Sequence, residues 1–184
     1  RMKIKKIWNF LWKEDSLESY VISGILILLL GKFVIFPTLG LLLSSSMPVV
    51  AVMSESMEHN SNFDEWYSGK NLIYESNEIY YEDFSKFDFK DGFNTGDVMI
   101  VKGDNFNELE VGDIIVFKKS GHQPTIHRII TLNDDYVSTL GDNNSKQLAY
   151  EKFIYESDYI GKAIFKVPLL GWPKKALVDL FINF

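Results

Sequence analysis

The chain has 184 residues and no cysteine, room for one domain of ordinary size plus an anchor, with disulfides, zinc–thiolate centres and thiol nucleophiles excluded. Its formal net charge is -6 and its basic residues cluster only at the N-terminus, which argues against a nucleic-acid partner because duplex binding needs a basic face.

Residues 1–18 read as a basic N-terminus, in which Arg1, Lys3, Lys5, Lys6 and Lys13 outweigh Glu14, Asp15 and Glu18. From Tyr20 the sequence turns apolar, with Lys32 as the one charge before Val52. Tyr20 to Leu43 is long enough to span, since about 20 apolar residues cross the hydrocarbon core. We expect an uncleaved transmembrane anchor over 19–46, kinked or ended by Pro37, with Lys32 snorkelling or facing a polar neighbour. A cleavable signal peptide fits less well, because the run exceeds an h-region and no small-x-small site closes it. The positive-inside rule puts the N-terminus in the cytoplasm and everything after about Ser46 outside, as a single-pass protein of the cell membrane.

The soluble part, 47–167, predicts a mainly β domain. Pro48 to Met53 is β-branched, follows a Ser-rich break and reads as the first strand. Further strands are expected at Val98–Val101 and Ile114–Phe117, each entered through Gly-Asp, and at Thr125–Leu132, Tyr136–Leu140 and Tyr159–Val167. Short strands with turn signals between them predict antiparallel sheets, as a sandwich or open barrel. Residues 61–93 interrupt this pattern with a crowd of aromatic and acidic side chains, read as a small folded lid or insertion subdomain. Residues 168–184 read as an amphipathic segment that lies on the membrane or closes the core.

Three positions could do chemistry. Ser56, in Ser54-Glu55-Ser56-Met57, follows directly on the first strand and sits close to the end of the apolar run. A serine needs an adjacent base to act as a nucleophile, and His127 in the fourth strand can take its proton at neutral pH. Asp142, in Gly141-Asp142-Asn143-Asn144, ends a strand and could orient the imidazole. Each feature also has a conformational reading: strand histidines are common, and Gly-Asp-Asn-Asn is a good turn.

These boxes together resemble the type I signal peptidases, in the archaeal and endoplasmic-reticulum branch that uses histidine. The order is an anchor, Ser54 to Met57, Gly96 to Val101, Gly112 to Phe117, His127-Arg128 and Gly141 to Asn144. The resemblance covers about residues 20–170 apart from the insertion, and Pro168 to Trp172 is also similar to a family segment. It implies a signal-peptidase-like antiparallel β core behind an N-terminal transmembrane helix, and a membrane-bound serine endopeptidase that removes signal peptides from exported preproteins after small residues. Ser56, His127 and Asp142 would be catalytic, with the Ser54 hydroxyl and the Ser56 amide as oxyanion hole. The substrate would lie extended beside the strand leading to the serine, touching Val50, Val52, Met53 and Met57. No metal or cofactor is implied. The partners would be signal peptides and the lipid bilayer, with accessory membrane subunits possible and nucleic acid excluded. Two positions depart from the family pattern. His59 stands where many members have proline. Leu148 stands where a second acid often lies, so either Asp142 alone supports His127 or a shifted acid does, the next being Glu151. The alternative function is an inactive anchored β domain that binds exported peptides.

Overall fold

The computed structural model describes residues 2–171, so the expected C-terminal segment lies outside the described residues from Trp172 onward. The chain divides into two compact units, Arg1–Leu42 and Leu43–Phe184.

In the first unit, helix α1 (Met2–Lys13) is followed by a turn and by one long apolar helix, Leu17–Leu42. Ser16 caps the start of that helix, its hydroxyl accepting from Ser19 N–H at 3.2 Å. The long helix has 26 residues, a rise of about 39 Å at 1.5 Å per residue, and is long and apolar enough to cross a hydrocarbon core of about 30 Å. It runs as α2 (Leu17–Leu30), a π-helical stretch Gly31–Ile35 and α3 (Phe36–Leu42). The widened turn is where Pro37 was expected to disturb the helix. Proline offers no N–H and its ring crowds the carbonyl four residues back, and a π turn relieves both. The helix continues past Pro37, with Phe36 N–H reaching back to Gly31 O.

The second unit is built on one seven-stranded sheet, ordered β1-β2-β7-β3-β4-β5-β6, with every neighbouring pair antiparallel. The strands are β1 Val49–Ala51, β2 Val98–Lys102, β3 Ile114–Phe117, β4 Thr125–Leu132, β5 Tyr136–Leu140, β6 Ile154–Tyr155 and β7 Tyr159–Val167. All strands expected from Val98 onward are present, and β6 is an addition. The first strand is shorter than Pro48–Met53: regular pairing with β2 ends at Ala51, and Val52 bonds the turn before β2, its N–H on Asp97 O at 2.9 Å and its carbonyl accepting from Gly96 N–H at 3.0 Å.

The two Gly-Asp boxes are the same turn. Asp97 N–H bonds Asn94 O and Asp113 N–H bonds Glu110 O, while Gly96 and Gly112 hold φ of 91° and 97°. A turn with positive φ at its third residue wants glycine. Each aspartate then reaches back, accepting from the first residue's N–H at 2.9 Å (Asn94) and 3.0 Å (Glu110). Past β7, Pro168–Gly171 folds onto the first of these turns, with Leu169 N–H on Asp97 Oδ1 and Gly171 N–H on Gly96 O.

Strand β3 is buried on both faces. Ile114 and Val116 join a core with Val52, Met57, Phe93 and Met99, while Ile115 and Phe117 join Phe106, Ile129 and Ile154. The insertion is helical, with α4 at Phe63–Glu75 and α5 at Tyr81–Phe84. Phe63, Trp66, Tyr67, Lys70 and Tyr74 fall on one helical stripe, and Asn62 caps α4 by accepting from Glu65 N–H at 3.1 Å. The aromatic stripe packs with Ile130 and Leu140 of the sheet. The insertion is folded and lies in the same compact unit as the sheet, its aromatics forming a cluster that takes in Ile130 and Leu140. Burial of each such ring contributes about 1.5–3 kcal/mol, enough to fix α4 as a rigid wall behind the loop that follows β5.

Candidate active site

Beyond β1 the chain turns through Ser54–Met57, closed by Glu58 N–H on Glu55 O at 3.1 Å. Neighbouring segments clamp this turn. Asn143 N–H bonds Ser56 O at 2.8 Å, Asn143 Nδ2 bonds Glu55 O at 3.0 Å, and Phe93 N–H bonds Met57 O at 3.0 Å. Strand β4 carries His127, held opposite Ile115 of β3. The two meet: Ser56 Oγ lies 2.9 Å from His127 Nε2. On its other side His127 Nδ1 is hydrogen-bonded to Glu151 Oε1, and both side chains are buried. Glu151 Oε2 accepts from Leu148 N–H at 2.8 Å.

These contacts set the proton positions. A carboxylate only accepts, so Nδ1 carries the imidazole proton and Nε2 is left as the acceptor for the Ser56 hydroxyl. Ser54 Oγ lies 3.2 Å from Ser56 Oγ and can donate to it. Loss of the Ser56 proton to His127 would leave an imidazolium against Glu151, which is how an activated serine is made. Gly141 has to be glycine here, since a Cβ would sit 2.8 Å from both His127 Nε2 and Ser56 O.

Asp142 is not behind His127. It is fully buried with Arg128, whose Nη2 bonds Asp142 Oδ2 at 2.7 Å and whose Nε bonds Oδ1 at 3.0 Å. Tyr74 OH donates to Oδ1 at 2.9 Å, and His59 Nε2 lies 3.1 Å from Oδ2 with its ring stacked on Trp66. The reason is the strand's alternation. His127 and its neighbour Arg128 point to opposite faces, and the aspartate follows the arginine into the aromatic wall, where the guanidinium lies 4.7 Å from the Phe84 ring centre. Burial alone would raise the Asp142 pKa, but the Arg128 charge and the hydrogen bonds from His59 and Arg128 overcome it and hold the carboxyl at about 2. Burial and the Asp142 carboxylate likewise push the Tyr74 hydroxyl well above its usual range.

The position behind the imidazole falls to Glu151 because Ala149–Glu151 forms a 3-10 turn that carries its carboxylate back to Leu148 N–H. The one sequence signal for it was that it is the next acid after the Gly-Asp-Asn-Asn box. His59 joins Asp142 rather than the Ser56–His127 pair. Lys70 of α4 was missed altogether; its ammonium bonds Asn143 O at 2.7 Å and Asn144 O at 3.2 Å, bracing the loop that holds Ser56.

A cleft opens beside Ser56 and His127, walled by Val50, Val52 and Met53 on one side and by Thr125, Ile126 and Tyr150 on the other. Met57 does not line it. Its side chain is wholly buried and its sulfur accepts from Asp142 N–H at 3.3 Å, because it packs into the core with Val52, Phe93, Met99 and Ile114. Among the described residues, no group of three or more acidic or imidazole side chains could hold a metal ion. No protein-family model and no curated protein matches the chain.

Proposed function

We propose that this chain is a membrane-anchored serine endopeptidase of the type I signal peptidase kind, cutting signal peptides from exported preproteins after small residues. The observation that carries the reading is the run Ser56 Oγ, His127 Nε2, His127 Nδ1, Glu151, joined by hydrogen bonds at the end of an open edge strand. His127 takes the Ser56 proton as the oxygen attacks the scissile carbonyl and returns it to the leaving amine. The Ser54 hydroxyl, freed from Ser56 Oγ as that oxygen bonds carbon, turns with the Ser56 amide to the oxyanion. Among the described residues strand β1 pairs only with β2, so an extended peptide can add along its other edge and present alternate side chains to the Val50–Met53 wall.

Two further features support this substrate class. Ser56 follows the Leu17–Leu42 helix at a short distance in sequence, and a signal peptide leaves its apolar stretch in the bilayer with its small-x-small site at the surface. The basic residues before the helix favour a cytoplasmic N-terminus and an extracytoplasmic catalytic unit.

The decisive test incubates the full-length protein with a membrane-inserted preprotein and maps the cut, alongside labelling with a fluorophosphonate. We expect a single cut after a small residue, rejection of substrates with Phe or Lys before the bond, and an adduct on Ser56. Single cysteines at Glu14 and Ser120 of this cysteine-free chain should label from inside and outside respectively. No adduct and no cut would sink the enzyme reading; labels on the opposite sides would sink the substrate. Ser54→Ala is expected to lower turnover by about 10²- to 10³-fold at little changed KM, the loss typical of one oxyanion donor. An unchanged turnover would make Ser54 structural.

A further inference from the structure

Helix α1 carries a feature that peptide cleavage does not use. Lys5, Asn9 and Lys13 recur at four-residue spacing on one side, with Lys6 beside them, while Ile7 and Leu11, and Trp8 and Trp12, run along the other. The helix packs back on α2, where the hydroxyls of Ser19 and Ser23 donate to Phe10 O and Leu11 O. Those carbonyls belong to the last turn of α1, which has no intrahelical donors for them. This docking half-buries Phe10 and Leu11 but leaves Ile7, Trp8 and Trp12 exposed at 59%, 58% and 57%. The Trp8 and Trp12 rings lie 5.7 Å apart. A shallow cleft lined by Lys6, Asn9, Phe10 and Lys13, with Glu14 at its edge, opens along the basic side.

We propose that α1 lies in the bilayer surface as an anionic-lipid-binding helix, with the Ile7, Trp8 and Trp12 face in the acyl boundary and Lys5, Lys6 and Lys13 on the headgroups. Two observations select lipid as the occupant. Only the short polar link Glu14–Ser16 separates the exposed apolar face from a helix long and apolar enough to span. That face carries two tryptophans and is flanked by ammonium groups, the pairing that suits an interface where one end of a ring is dry and the other wet. Anionic headgroups then complement the lysines, each worth about a fivefold gain in surface residence near a charged leaflet. The inference rests on reading Leu17–Leu42 as a membrane anchor.

The test reconstitutes full-length protein into phosphatidylcholine vesicles with and without phosphatidylglycerol. An environment-sensitive fluorophore is attached through Ile7→Cys or Asn9→Cys, and quenching by an aqueous quencher is read. With phosphatidylglycerol the label at position 7 should be shielded about tenfold more than that at position 9. The shielding should fall in phosphatidylcholine alone and in Lys5→Glu/Lys6→Glu/Lys13→Glu. Equal quenching at both positions would overturn the proposal, as would shielding indifferent to both lipid and charge. Shielding that vanishes on dilution into excess lipid, with disulfide cross-links between two copies of the unlabelled Ile7→Cys variant, would make the occupant a second copy of this chain and also overturn it. Alkaline carbonate extraction reads the anchor separately: release from the pellet removes the anchor reading, while a retained protein with a water-exposed α1 removes only this one.

Discussion

Replacing Ser56 or His127 by alanine should lower preprotein turnover by about 10⁶-fold each, and the double variant should be no worse than either single one. Non-additivity is the point of the measurement. Proton transfer needs both partners, so loss of either removes the whole nucleophilic route and leaves only substrate positioning and the oxyanion donors. Ser56→Ala should leave the fold undisturbed, whereas His127→Ala also strips the buried Glu151 of its partner, so its turnover is read per folded protein. Among the described residues the Ser56 hydroxyl hydrogen-bonds only Ser54 and His127, and the turn around it is held by backbone bonds from Asn143 and Phe93. Substrate affinity should also stay near wild type, because the β1 edge and the Val50–Met53 wall are untouched. Turnover within tenfold of wild type in either variant would eliminate the Ser56–His127 mechanism, and additive losses would separate the two residues into independent roles.

The parts of this molecule that were legible in its sequence are those written in local chemistry. Gly96-Asp97 and Gly112-Asp113 announce strands because glycine at positive φ and an aspartate reaching back to the turn's first N–H make a specific turn. The strands β3, β4, β5 and β7 were readable as β-branched runs between such turns. The length of β1 was not, since regular pairing stops where its partner β2 begins at the Asn94–Asp97 turn, a segment distant in sequence. The helices of the insertion were hidden by composition: rings and acids in 61–93 signal burial, but the stripe from Phe63 to Tyr74 becomes a helix face only once Ile130 and Leu140 offer a surface to cover. At the site, Ser56 and His127 could be singled out because each follows or sits in a readable strand. Which acid serves the imidazole could not, because it depends on which carboxylate a buried arginine claims. Arg128 stood out in the sequence only as the neighbour of His127 in the His-Arg box. That it would be wholly buried, and so need a counter-charge of its own, is a tertiary fact.

Exchanging the two carboxylates for amides should separate their roles. Glu151→Gln keeps the shape and the bond from Leu148 N–H, but removes the negative charge that stabilises the His127 imidazolium and fixes its tautomer. Turnover should fall by about 10⁴-fold, the loss seen when a triad carboxylate becomes an amide, while the thermal midpoint in detergent moves little. Asp142→Asn should do the reverse. It leaves Arg128 as a fully buried cation with no counter-ion, a defect that costs about 3–5 kcal/mol. Any effect on turnover would come through the loop that Asn143 uses to hold Ser56. Acid adds an independent readout. The Asp142 carboxyl is held at about 2, below its ordinary value of 3.8, so its ionised form favours the folded state. That contribution, on the order of 2 kcal/mol, is complete above about pH 4 and is lost as pH falls through about 2. Wild type should therefore lose stability along this acid limb, whereas Asp142→Asn, already lacking the charge, should show a flatter one. If Asp142→Asn instead lowers turnover about 10⁴-fold with an unchanged midpoint, and Glu151→Gln does neither, then Asp142 supports His127 during the reaction and the Glu151 contact belongs to the resting protein alone.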